Sequence, residues 1–132
     1  LAQVHYKQAG KSSIPIGTKF SGLRVVLGCA NGATYHIATK VFAELGDEVI
    51  TIGAEPDGLN IKKNCGSTSP NTLAAALLQN HADIGIAFDG DGDRLGVISS
   101  DGKTIWPDRL LMLFAGDVLS RNQGAQIIFD IK

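Results

Sequence analysis

This sequence has few cysteines, no excess of positive charge and no long apolar run, and each shortage excludes a class of protein. Its two cysteines, Cys29 and Cys65, are too few for a disulfide scaffold and form no C-x-x-C pair, so we expect reduced thiols. The formal net charge of −1 predicts no attraction to nucleic acid. No apolar run approaches the roughly 20 residues of a membrane span, and no signal-peptide pattern follows Leu1. We therefore expect a cytoplasmic protein that binds neither nucleic acid nor membranes.

The composition that remains is typical of a soluble globular protein. The chain has 132 residues, of which 44% are hydrophobic and 19% are charged. That length is enough for one domain with its own core, or for one domain and a piece of another. The sequence opens at Leu1 without an initiator Met, and we expect it to be a fragment of a longer protein.

The first half of the chain has the pattern of a β-α-β unit. Residues 1–20 show no sustained periodicity, and we interpret them as a linker from a missing preceding domain. Apolar runs at 23–28 and 48–52 predict two strands. Between them, apolar residues recur at helical spacing from a plausible N-cap at Thr34 to a terminating Gly46. Such a unit predicts two parallel strands with a right-handed crossover.

Two loops in this half could carry function. The Asn31-Gly32 turn lies between a predicted strand and a helix N-terminus, where anions can bind. Because no G-x-G-x-x-G pattern accompanies it, we interpret the turn as structural. The segment 53–70 is rich in Gly, Pro, Asn and Ser, and loops of that length are often functional.

The second half adds an antiparallel strand. Pro70 opens a second helix that ends near His81, and apolar runs at 84–88 and 95–98 predict strands joined by a tight link. A tight link makes an antiparallel pair, and an Asp-Gly turn at 101–102 leads to one more strand. The predicted fold is therefore α/β, with a small mixed sheet, mostly parallel with one antiparallel strand, and helices packed against it.

The last part of the chain begins a new unit. Pro107 opens a third helix with a broad apolar face, and the apolar run at 126–131 predicts a strand after it. A helix followed by a strand with no return is an incomplete unit. We therefore predict that 21–104 form one domain and that 105–132 start the next.

The most informative stretch is the acidic loop, Asp89-Gly90-Asp91-Gly92-Asp93-Arg94, which lies between two predicted strands. Three carboxylates so close together repel one another strongly, and a bound cation relieves that repulsion. Carboxylate oxygens suit a hard ion such as Mg²⁺ or Ca²⁺, and the glycines let a short loop curl around it. Asp89, Asp91 and Asp93 are therefore the candidate metal ligands.

Other proteins also use clustered aspartates. An EF-hand needs a Glu at the twelfth position of its loop, which is Ser100 here, and helices rather than strands on both sides. An aspartyl-phosphate phosphatase places D-x-D after an apolar strand, with a nucleophile at the position of Asp89. Such enzymes resemble D-x-D-G-[TV], and Asp93 stands where the Thr or Val would be. A stand-alone module that binds divalent cations is a further alternative.

The acidic loop also carries a resemblance to a known family. The chain resembles the second domain of the α-D-phosphohexomutases, whose metal-binding signature is the D-G-D-G-D-R sequence found at 89–94. The resemblance extends from about Ser12 to Lys132. Three segments are most similar to the family members that act on glucosamine phosphate: residues 28–35, 55–61 and 65–68. Two later segments are more similar to the members that act on mannose and glucose phosphates: residues 105–114 and 127–132.

This resemblance implies a Mg²⁺ cofactor held by Asp89, Asp91 and Asp93, with Arg94 as a catalytic residue beside the transferring phosphoryl group. The implied reaction moves a phosphoryl group between the 1- and 6-positions of a hexose phosphate. The first expectation is glucosamine 6-phosphate to glucosamine 1-phosphate, and the alternative is a mannose or glucose phosphate.

The family's remaining active-site parts are a phosphoserine, a sugar-recognition loop and a phosphate-binding loop. They lie in other domains, and none of their motifs occurs here. We therefore expect this fragment alone to be inactive. It would meet its hexose phosphate substrate only together with the missing domains of the same chain.

Overall fold

The structure is a computed structural model that describes residues 2–46, 48–67 and 69–130. Helices and strands alternate over most of this length. In chain order the elements are α1 (Ala2–Ser12), β1 (Arg24–Gly28), α2 (Tyr35–Glu44), β2 (Glu48–Ile52), α3 (Pro70–Gln79), β3 (Ile84–Phe88), β4 (Leu95–Ser99), β5 (Thr104–Ile105) and α4 (Pro107–Arg121). Within the described ranges, every helix is too short or too polar to cross a membrane.

The five strands form one mixed sheet in the order β2-β1-β3-β4-β5. Strand β1 pairs in parallel with both β2 and β3, so Val26 lies opposite Ile50 on one side and Gly85 on the other. Strand β4 is antiparallel to β3 and to β5. Four strands therefore point one way and β4 alone runs against them, which confirms the predicted mixed sheet with one antiparallel strand.

Helices α2 and α3 bury the two faces of this sheet. Alternate residues of a strand point to opposite faces, and the core is divided accordingly. On one face, Val26 and Ile98 pack with Leu73 and Leu77 of α3. Gly85 lies beneath that helix, and a Cβ at this position would come within 3.2 Å of the side chains of Leu73, Leu77 and Ile98.

The opposite face packs against α2. The buried members of this second cluster are Val25, Leu27, Cys29 and Ala38. Phe42 of α2 covers them from outside. The β-α-β unit predicted from the sequence therefore forms, with Thr34 at the N-cap of α2 and Gly46 just beyond Leu45 at its C-cap.

The first 20 residues differ from the irregular linker expected, because α1 occupies Ala2–Ser12. Two ion pairs connect this helix to α2: the ammonium groups of Lys7 and Lys11 donate to the two carboxylate oxygens of Glu44, at 2.5 and 2.6 Å. These hydrogen bonds lower the pKa of Glu44 to about 2. The paired residues are 37 and 33 positions apart in the chain, so the local sequence pattern does not predict these ion pairs.

The strand predicted at 126–131 does not form over 126–130, where the backbone is irregular; position 131 lies outside the described residues. A strand needs a neighbour to receive its backbone hydrogen bonds, and in the described part of the chain none pairs with this segment. The preceding helix α4 forms as predicted from Pro107. Leu110 of that helix is buried, whereas Met112 and Leu113 are 73% and 68% exposed.

The parallel arrangement decides where the loops lie. Because β1, β2 and β3 point the same way, the segments that follow them leave from the same edge of the sheet. These segments are 29–34, 53–69 and 89–94. The acidic loop is thus brought to the same edge as the Asn31-Gly32 turn and the long loop after β2.

The packing of α3 gives a direct test of this fold. Leu77→Ala should lower the free energy of unfolding by about 2–5 kcal/mol, because it leaves a cavity between helix and sheet. Its neighbour on the same helix, Leu78, is 51% exposed, and Leu78→Ala should cost less than about 1 kcal/mol. Urea unfolding of both variants measures the difference; equal losses would contradict the described packing.

Candidate metal centre

The acidic loop is a tight connection between the two central antiparallel strands. Asp89 directly follows β3 and Arg94 directly precedes β4. The backbone N–H of Asp89 donates to the carbonyl of Arg94 at 3.3 Å, which closes the base of the loop. Gly92 has a φ of +80°, a conformation that residues with a side chain adopt at a cost. The flanking strands confirm that the loop is not an EF-hand.

The three predicted metal ligands come together in this loop. One carboxylate oxygen from each of Asp89, Asp91 and Asp93 can be chosen so that all three lie within 4.8 Å of one another. Asp89 is buried, whereas Asp91 and Asp93 are exposed. This set of hard oxygen donors fits Mg²⁺ or Ca²⁺, and two of the three carboxylates face solvent from which an ion can enter.

Asp89 anchors the loop from inside. Its side chain is 0% exposed. Its Oδ1 accepts hydrogen bonds from the backbone N–H groups of Gly92 at 3.0 Å and Arg94 at 3.2 Å. Burial alone would raise the pKa of Asp89, but these backbone donors and the Arg94 guanidinium together lower it to about 2. The carboxylate is therefore ionised at neutral pH.

Arg94 lies back across the loop that it ends. Its Nε and Nη2 are 2.8 and 2.7 Å from Oδ2 of Asp89, and its Nε is 3.5 Å from Oδ1 of Asp93. The hydrogen bond and charge of Asp89 raise the pKa of Arg94. Its side chain is still 63% exposed. The structure thus shows Arg94 as the partner of two candidate ligands, and its action on a phosphoryl group stays a prediction.

The exposed carboxylates produce a negative potential at the mouth of the loop. The charge of Asp91 raises the pKa of Asp93, and burial and the charge of Asp89 act in the same direction. Repulsion of this kind is relieved by a cation at the shared position. The charge of Arg94 lowers the pKa of Asp93 and offsets part of this repulsion.

The turn at Asn31-Gly32 touches the acidic loop. The N–H of Ala33 donates to the carbonyl of Gly90 at 2.9 Å, and a Cβ on Gly32 would overlap the backbone of Gly90. Asn31 has a φ of +48°, and its Oδ1 accepts from the N–H of Glu55 at 3.1 Å. The turn therefore has the structural role predicted for it, and its contact with the loop was missed by sequence reasoning.

The loop after β2 supplies a residue that sequence reasoning also missed. Lys62 places its Nζ 3.9 Å from Oδ2 of Asp89. Lys62 lies 27 positions before Asp89 in an Asn- and Lys-rich segment, and no motif marks it. Only the close approach of two loops at one edge of the sheet brings this ammonium group to the buried carboxylate.

Both cysteines are free, buried thiols near these loops. Burial raises the pKa of Cys29 to about 11, and the neighbouring Cys65 acts in the same direction. Burial also raises the pKa of Cys65. Both thiols are therefore protonated at neutral pH.

Comparison with known proteins identifies the family of this chain. A family model described as phosphoglucomutase/phosphomannomutase, alpha/beta/alpha domain II, matches residues 5–102. Phosphoglucosamine mutase of Pseudomonas fluorescens (strain Pf0-1) is 52% identical over 122 residues, which are 92% of this chain and 27% of that protein. Phosphoglucosamine mutase of Pseudomonas aeruginosa (strain UCBPP-PA14) is 54% identical over 113 residues, 86% of this chain and 25% of that protein.

A solved structure has the same fold. The crystal structure of a phosphoglucomutase/phosphomannomutase family protein from Burkholderia thailandensis matches with a TM-score of 0.80 and 41% identity, over 94% of this chain and 27% of that one. This chain thus spans only about a quarter of the length of the relatives it matches. The family model covers most of the described fold, including the whole acidic loop. The chain therefore belongs to the phosphoglucomutase/phosphomannomutase family of α-D-phosphohexomutases, and residues 5–102 match its α/β/α domain II.

Proposed function

We propose that this chain is the Mg²⁺-binding domain of a phosphohexomutase that moves a phosphoryl group between the 1- and 6-positions of a hexose phosphate. The observation that carries the proposal is the meeting of Asp89, Asp91 and Asp93 in one loop of a chain that belongs to this family. Phosphoryl transfer depends chiefly on positioning and on neutralising negative charge, and a cation held by this loop, together with the Arg94 guanidinium, would supply the positive charge.

The proposed reaction converts glucosamine 6-phosphate to glucosamine 1-phosphate. Its support is that the relatives at 52% and 54% identity are named phosphoglucosamine mutases. The alternative substrate is a mannose or glucose phosphate, favoured by the Burkholderia family structure, which covers 94% of this chain. Since the chain spans 27% of the first relative, we propose that other domains of the parent supply the phosphoryl carrier and the sugar contacts, in the cytoplasm.

The chain's own residues have distinct parts in this proposal. Asp91 and Asp93 would hold the ion from the solvent side, and Asp89 from the buried side. Bound Mg²⁺ supplies concentrated positive charge for phosphoryl oxygens. Asp89 also holds two nitrogens of the Arg94 guanidinium, which fixes the orientation of that planar group. An exposed, oriented arginine can then donate to phosphoryl oxygens as they gain charge.

Metal titration tests the ligand assignment. The 132-residue chain should bind Mg²⁺ with a dissociation constant of about 1 mM or weaker, because Mg²⁺ releases its waters reluctantly and three carboxylates on an open loop cannot saturate it. Asp91→Asn should weaken binding further and leave the fold intact, since Asp91 is exposed. Isothermal titration calorimetry measures both constants.

A matched control for this titration is Asp101→Asn. Asp101 is an exposed carboxylate in the β4–β5 turn, where it pairs with Lys103 at 2.6 Å, and its loss should not change Mg²⁺ affinity. Submicromolar binding by the unmodified chain would instead favour a stand-alone cation-binding module. If the unmodified 132-residue chain and its Asp91→Asn variant bind Mg²⁺ with equal affinity, Asp91 is not a metal ligand.

Kinetics of the full-length parent enzyme separate Arg94 from the metal ligands. Arg94→Lys keeps the charge but loses the planar, two-pronged donor, so kcat should fall on the order of 100-fold or more, as for loss of a transition-state donor. Added Mg²⁺ should not restore it. Asp91→Asn should also lose activity, but high Mg²⁺ should recover part of the rate.

The measurement is kcat as a function of Mg²⁺ concentration for both variants in a coupled mutase assay. The pairing of Arg94 with Asp89 and Asp93 offers a different role, in which the arginine only holds the loop in shape. In that case Arg94→Lys would act through the ion, and high Mg²⁺ would bring its kcat close to that of the parent. Such a recovery would defeat the catalytic assignment.

A further inference from the structure

We propose that Lys62 is a positioning residue of the metal centre: its ammonium group is a built-in counter-ion for Asp89 that stabilises the metal-free loop and lowers its affinity for divalent cations. The inference rests on the proposed metal-binding role of the acidic loop. The observation behind it is the approach of Lys62 Nζ to within 3.9 Å of Asp89 Oδ2.

The backbone at Lys62 is held in a demanding conformation. Its φ is +60°, in the left-handed region that residues with a Cβ seldom adopt. Its N–H donates to the carbonyl of Ala30 at 2.7 Å, and Ala30 itself has a φ of 55°. The next residue is also fixed, since the N–H of Lys63 donates to the carbonyl of Asn60 at 3.0 Å. Strained conformations persist where the surrounding structure enforces them, often at functional sites.

The side chain of Lys62 runs over the acidic loop. Its Cε lies 3.2 Å from the position that a Cβ on Gly90 would occupy, and Cδ1 of Ile61 lies 2.8 Å from that same position. The absence of a side chain at Gly90 therefore leaves room for the lysine stem. The Lys62 side chain is 39% exposed, so solvent shields its charge only in part.

The contact is electrostatic and is not a hydrogen bond. A separation of 3.9 Å exceeds hydrogen-bonding distance, but it is short for two opposite charges when one of them is fully buried. Arg94 of the acidic loop and Lys62 of the loop after β2 supply two positive charges beside the three carboxylates. Without a metal ion, Lys62 therefore reduces the repulsion among the aspartates.

A divalent cation reverses the sign of this effect. An ion held by the three carboxylates would share the Asp89 carboxylate with the Lys62 ammonium group, which carries the same sign of charge, and Lys62 would therefore oppose its binding. Removing the Lys62 charge should therefore do two opposite things: destabilise the metal-free chain and strengthen metal binding. A residue with only a packing role would not change both quantities in these directions.

The test uses Mn²⁺ as the probe, because its free aqueous form has a strong paramagnetic resonance signal and it prefers oxygen ligands as Mg²⁺ does. In the 132-residue chain, Lys62→Met should tighten Mn²⁺ binding about 3- to 10-fold, as expected for one partly screened charge near the ion. Its thermal midpoint in EDTA should fall. Lys62→Arg keeps the charge and should restore both values towards those of the parent chain.

The neighbouring lysine is the matched control. Lys63 is exposed and no ion pair of its side chain occurs among the described residues, so Lys63→Met should leave Mn²⁺ affinity and the thermal midpoint unchanged. If Lys62→Met does not fold without metal, Lys62→Gln removes the same charge with a polar side chain. Loss of folding in both neutral variants would overturn the inference, because the role of Lys62 would then be structural.

Two further outcomes separate this inference from the proposed function. If Asp91→Asn weakens Mn²⁺ binding but Lys62→Met leaves it unchanged or weaker, the metal centre stands and the role of Lys62 is overturned. If the unmodified 132-residue chain binds no Mn²⁺, or if its Asp91→Asn variant binds Mn²⁺ equally tightly, the acidic loop is not a metal site. The inference about Lys62 is then overturned as well.

Discussion

The buried carboxylate of Asp89 is the group on which the acidic loop depends. It has no exposed surface, and a charge in that position is tolerated only when it is paired and hydrogen-bonded. Two backbone N–H groups and the Arg94 guanidinium meet this demand. Because Arg94 pairs with Asp89, the loop is tightly curled. One carboxylate oxygen from each of Asp89, Asp91 and Asp93 therefore lies within 4.8 Å of the other two.

The close approach of three loops is the second constraint. Strands β1 and β3 are parallel neighbours, so the turn after one lies beside the turn after the other. Gly32 and Gly90 touch where these turns meet, and a Cβ at position 32 would overlap the backbone of Gly90. The segment after β2 covers Gly90 from the other side through Ile61 and Lys62. Glycine is thus required at 32 by space, and it is favoured at 92 by the positive φ that closes the turn.

The errors of sequence reasoning have a common physical cause. Helix α1 has a weak local pattern, and the ion pairs that connect it to α2 join Lys7 and Lys11 to Glu44, more than 30 residues away. The predicted strand at 126–131 had the right local pattern, but over 126–130 it lacks a neighbour in the described sheet. A long-range partner is present for α1 and is lacking for residues 126–130, and in both cases this outweighed local propensity.

The sequence by itself determined the α/β class, the elements between β1 and α4, and the three candidate ligands. It could do so because hydrophobic periodicity and the Asp-Gly alternation are local properties of consecutive residues. Only the tertiary structure decided that Asp89 is buried, that Arg94 pairs with it, and that Lys62 and Gly32 border the loop. The physical reason is that parallel strands bring their carboxyl ends to one edge of the sheet, where residues far apart in the chain share one electrostatic environment.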